Sequence, residues 1–93
     1  MNASISSEIL GRYAADAARE VPGLRALARR RSVKITGDGE TVRVEVHVTV
    51  EWGAGIPELA DGIQTRVREY LLRMADIEPA DVDVIVDEIG PRT

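Results

Sequence analysis

Residues 42–74 read VRVEVHVTVEWGAGIPELADGIQTRVREYLLRM, a strict alternation, a glycine-broken corner and an amphipathic helix in succession. Val42, Val44, Val46, Val48 and Val50 fall on one side of an extended chain. Arg43, Glu45, His47, Thr49 and Glu51 fall on the other. A slip of one residue would turn every valine to water, so the register is firmly set, and the polar side marks a sheet covered on one face only. Gly53-Ala54-Gly55 makes the corner, and Pro57 follows at a first helical position, where its missing N–H costs nothing. Ile56, Leu59, Ala60, Ile63, Val67, Tyr70, Leu71 and Met74 then recur at helical spacing over about eighteen residues, or ~27 Å. Leu72 is the one large apolar residue off that stripe, and so a candidate contact for another chain.

Outward from this unit the chain reads as its covering. Met1 to Ser4 is expected to fray. Ser6 has the character of an N-cap, with Glu8 in the first turn suited to the helix dipole. Ile9, Leu10, Tyr13, Ala14, Ala17 and Val21 share one face of a first helix, which Pro22-Gly23 ends. The connector LRALARRRS, residues 24–32, is expected to add a short helical turn and then a basic knot of Arg29, Arg30 and Arg31. Residues 33–36 form a short strand, and Gly37-Asp38-Gly39 is a hairpin signal. After the second helix, Pro79 blocks further helix, and Val82, Val84 and Val86 alternate with Asp83, Ile85 and Asp87 in a last strand. Gly90-Pro91 begins the tail. The expected fold is a single α+β domain over residues 1–93, of order α-β-β-α-β. It has two layers: a three-stranded mixed sheet with both helices on its valine face.

Composition narrows what such a domain does. The chain has 93 residues, enough for one modest core that buries roughly 60–65% of the unfolded surface. It has no cysteine, which excludes disulfides, thiolate metal sites and cysteine nucleophiles. No apolar run approaches the ~20 residues of a bilayer span, and no signal peptide is apparent. The lack of cysteine fits a cytosolic protein, and any meeting with a membrane is expected from its surface or through a partner. The net charge of −4 is unevenly spread: eight basic and six acidic side chains lie in residues 1–50, four and ten in residues 51–93. That balance argues against a broad nucleic-acid footprint.

No constellation for catalysis, cofactor or metal emerges. His47 is the only histidine and sits among charges on the polar side of its strand, where surface duty is the ordinary role. Asp81, Asp83 and Asp87 share the outer face of the last strand. They lack the loop spacing of a calcium site and read as a solubilising row. The Gly53-Ala54-Gly55 corner lacks the lysine of a phosphate loop, and Glu58 in the first turn would repel phosphate. Trp52 at the strand end reads as a lid over the core edge. The serines have no histidine and acid arranged around them. The candidate contact surfaces are the polar sheet face, with Arg43, Glu45 and His47, the basic knot Arg29–Arg31, and Leu72. A small KH-like nucleic-acid-binding module is the rival reading, against which stand the acidic balance and the missing Gly-x-x-Gly loop.

The stretch VTVEWGAGIPELADGIQTRV, residues 48–67, resembles the signature of the alkaline shock protein family of bacterial envelope-stress proteins. The positions that carry the resemblance are Glu51, Trp52, Gly53, Ile56, Pro57, Glu58, Gln64 and Val67. Residues 5–24 are similar to that family's first helix and residues 82–86 to its last strand. Trp52 stands where the family has tyrosine, and the connector is arginine-rich where glycine and serine are common. The resemblance implies a non-enzymatic cytoplasmic protein that forms homo-oligomers and is recruited by an integral-membrane partner. It implies no catalytic residue, cofactor or small-molecule substrate, and a part in envelope homeostasis under stress.

Overall fold

The computed structural model describes residues 5–27, 32–38 and 41–91. Strand β3, Thr41–Val50, is its axis. All five alternating valines are buried along it, because a chain with period-two hydrophobicity can hide one side only by lying flat on a core. Helix α1, Ser7–Arg19, and helix α2, Ile56–Ala75, pack on that same side. Leu10, Ala14, Ala17 and Ala18 of α1 meet Leu59, Ile63, Val67 and Leu71 of α2 in one core with the valines. The small alanines let α1 lie close. Tyr13 and Tyr70 pack ring to ring across the two helices, their centroids 6.0 Å apart. Each fully buried aliphatic side chain contributes about 1.5–3 kcal/mol.

The helix ends follow their local chemistry. The Ser6 hydroxyl accepts from the Ile9 N–H at 3.3 Å, which satisfies one of the four orphan donors of the first turn. Helix α2 begins with Pro57 in its first turn and ends where Asp76 turns left-handed at φ 54°. The Asp76 amide donates back to the Leu72 carbonyl, and the Ile77 amide to that of Leu71.

The sheet is one strand richer than the α-β-β-α-β order requires. Residues Leu24–Leu27, expected as a helical turn, form a short strand, β1. It pairs antiparallel with Val48–Val50 of β3, while β2, Val33–Asp38, pairs antiparallel with Thr41–Val46. Both occupy the same edge of β3 end to end, so the sheet stays three strands wide. The His47 N–H closes the gap by donating to the Ser32 carbonyl at 2.7 Å. On the far edge β4, Asp81–Ile89, runs parallel to β3. Parallel pairing needs a crossover, and α2 supplies it.

Two polar side chains of α2, one turn apart, fasten the start of β4. Gln64 Nε2 donates to the Val82 carbonyl at 3.0 Å, and Arg68 Nη1 to the carbonyl of buried Pro79 at 2.7 Å. Both acceptors are backbone carbonyls, and a part-buried carbonyl needs a partner where water is kept away. Gln64→Leu keeps the bulk and removes the donor, and is expected to cost about 1 kcal/mol, or a melting temperature about 5 °C lower. An unchanged melting curve would show that water replaces the amide without loss.

Candidate interaction surface

The face of the sheet opposite the helices is built by parity. Residues Arg43, Glu45, His47 and Thr49 of β3 project there, as do Lys34 and Thr36 of β2 and Asp81, Asp83 and Ile85 of β4. The β3–β4 register shifts between Val48 and Thr49, so that Asp87 is an extra residue, a β-bulge. The bulge keeps Asp87 and Glu88 together on the polar side and returns Ile89 to the side of Val50.

The bulge gives His47 a partner. Its Nδ1 lies 3.0 Å from both carboxylate oxygens of Asp87, and its Nε2 lies 3.3 Å from Oε1 of Glu45. The hydrogen bond to Asp87 raises the His47 pKa above its ordinary 6.5, helped by the charges of Asp87 and Glu45 and opposed by partial desolvation. Arg43 pairs with Asp81 at 3.4 Å in the next row of the same face. Both contacts are solvent-screened and each is worth little alone. Together they tie β3 to β4 from the polar side, as the valines do from the other.

A group with a raised folded-state pKa stabilises most when protonated. The His47 contribution is therefore complete below about 6.5 and fades as pH climbs through the raised value. His47→Gln is expected to flatten this segment of the stability–pH profile. The check is a set of melting curves from pH 5.5 to 9 for both proteins, on the order of the window this linkage spans. Parallel profiles would show that the contact is not formed in solution.

The expected site residues are brought together only in part. Arg43, Glu45 and His47 share the polar face with the aspartate row. Leu72 is 50% exposed on α2, away from that face. Arg29, Arg30 and Arg31 lie outside the described residues. Trp52 does not close over the core, being 58% exposed at the corner. A shallow groove of about 310 Å³ runs between α1 and the start of β2, past Ser7, Gly11, Arg12 and Ala15. Sequence parity placed Asp87 on the right face but could not show that a bulge aims it at His47. The only prior signal was a second acid, Glu88, beside it.

Among the described residues no polar or charged side chain is buried, and no three His, Cys, Asp or Glu side chains converge on a metal position. What the fold and face define is a two-layer α+β domain with one charged, open sheet surface. The chain belongs to the alkaline shock protein 23 family, described by a cell envelope-related function, which it matches over residues 1–91. No match to a curated protein is found. Among solved structures the chain is similar to a MamM CTD variant, with a TM-score of 0.61 and 16% identity, over 89% of this chain and 98% of that one. A cadmium form of the MamM CTD gives 0.60 and 17% over 89% and 98%, and a nickel form gives 0.59 and 16% over 87% and 96%. At such identity the likeness is one of fold.

Proposed function

We propose that this protein is a non-catalytic, self-associating interaction module of the cell envelope, held at the inner face of the membrane by an integral-membrane partner. The observation that carries the reading is the polar sheet face. Both helices lie on the opposite side, so a broad charged surface faces outward, its side chains paired in Arg43–Asp81 and Glu45–His47–Asp87 contacts. Such open, charged surfaces suit partner recognition, since complementary charge guides docking and selects among partners. The family's envelope-related function supports the setting. Among the described residues no helix is long and apolar enough to cross a membrane, so on this reading attachment goes through another protein.

The test is chemical crosslinking in stressed cells followed by membrane fractionation and recovery of the tagged chain. Recovery with an integral-membrane protein and with further copies of itself supports the module. A chain found wholly soluble and monomeric under every stress would sink it. RNA recovered in its place, with binding that weakens steeply as salt rises, would favour the KH-like rival.

A further inference from the structure

The hydrogen-bond phase of the sheet decides which backbone groups of β4 are spent and which are open. The His47 N–H points to β2, so the odd residues of β3 bond on that side. Its even residues bond toward β4, and the Val42 and Val50 carbonyls accept from Ala80 and Gly90 accordingly. In a parallel pair, a bonded residue reaches the neighbours before and after its register partner. Val44 and Val46 stand opposite Val82 and Val84, so their partners are Asp81, Asp83 and Ile85. The backbone groups of Val82, Val84 and Val86 therefore turn outward. The Val82 carbonyl confirms the phase, because Gln64 of α2 takes it up at 3.0 Å. That cap stops at Val82. Beyond it Val84 and Val86 stay only half-buried, Ile89 is 47% exposed, and among the described residues no strand lies outside β4.

The side chains select what is able to add there. Arg43 and His47 answer Asp81, Glu45 and Asp87, whereas Asp83 and Glu88 have no ion-pair partner among the described residues. A second copy meets this edge badly. Antiparallel self-pairing centred on Val84 sets Asp81 against Asp87, and centring on Ile85 sets Asp83 against Asp87. Like charges directly opposite destabilise a ladder. An extended segment with lysine or arginine at alternate positions meets the same edge well. Its cations lie beside Asp83 and Asp87 on the polar face, and its intervening aliphatic residues cover Val84 and Val86 on the other.

We propose that the outer edge of β4, around Val84 and Val86, accepts a basic, alternating extended segment of a partner protein as an added strand. Main-chain bonds give the affinity in this mode and the alternate side chains give the selectivity. The proposal names a partner chemistry for the interaction module and rests on that reading.

The probe is a Lys-Val-Lys-Val-Lys peptide, titrated into the whole chain at low salt and followed by backbone amide shifts and amide exchange. The expected result is binding with new protection at Val84 and Val86. The same peptide methylated on both valine nitrogens is expected to bind at least about tenfold more weakly, since two backbone donors are lost. A methylated peptide leaves the protein untouched, so this arm does not depend on a variant's folding. Asp83→Lys, an exposed change, is expected to shift preference to a Glu-Val-Glu-Val-Glu peptide. Equal binding of the two lysine peptides, protection elsewhere, or no binding at all would overturn the proposal. A chain that ignores every peptide yet is recovered with a membrane protein loses the strand addition and keeps the module.

Discussion

Replacing Ile63 by alanine is expected to lower the unfolding free energy by about 3–4 kcal/mol. Ile63 is 0% exposed and sits at the centre of the α2 stripe, between Leu59 and Val67 and over the valine face of β3. Truncation removes three methylene-sized groups from contact and leaves a hole that a close-packed interior refills poorly. A domain of this length holds only about 5–14 kcal/mol in all, so the variant retains a fraction of it. Urea unfolding followed by circular dichroism measures the change as a shift in midpoint at unchanged slope. Leu72→Ala serves as the control. That side chain is half exposed on the same helix, and its loss is expected to stay within about 0.5 kcal/mol. A cost below 1 kcal/mol at Ile63, a figure about a third of the expected one, would mean the core collapses around the gap.

The contrast between Ile63 and Leu72 also shows how much of the fold was legible in the sequence. Five valines at period two and a stripe at period 3.6 encode faces directly, since each side chain's direction is fixed by local geometry. The two-layer arrangement follows from them. Strand β1 was not legible in that way. The LRAL run has leucines at helical spacing, and only the free edge of β3 at Val48–Val50 pulls it extended. Non-local pairing of that kind overrides a weak local preference. The ends of the stripes misled for a related reason. Ile9, Ile56 and Met74 fit the periodicity, yet each is more than a third exposed, so the core face is narrower than the stripe. At the polar face, parity assigned Arg43, Glu45, His47 and the aspartates to one side. The His47–Asp87 contact needed a bulge, which is a property of two strands together. Gln64 and Arg68 are polar positions beside the apolar stripe of α2. Their role as donors to the Val82 and Pro79 carbonyls depends on where the next strand begins.

Gly37→Ala is expected to cost at least about 2 kcal/mol, from two terms that a second glycine separates. Gly37 stands at φ 92°, in the region that favours glycine, opposite Val42 in the β2–β3 ladder. A Cβ at Gly37 would fall on the carbonyl oxygen of Thr41, a backbone atom with no rotamer to move it away. The hairpin would have to open, and with it the Asp38–Thr41 and Gly37–Val42 pairing that starts β3 in register. Gly53 provides the comparison. It has nearly the same dihedral, φ 85°, but nothing lies within 4 Å of a Cβ built there. Gly53→Ala is therefore expected to show backbone strain alone, about 1 kcal/mol. The difference between the two variants isolates the collision. Equal costs would place the whole effect in the dihedral and show that the β2–β3 turn yields. A larger cost at Gly37 with amide exchange quickened along Val33–Val46 would show that this turn sets the register of the central strand.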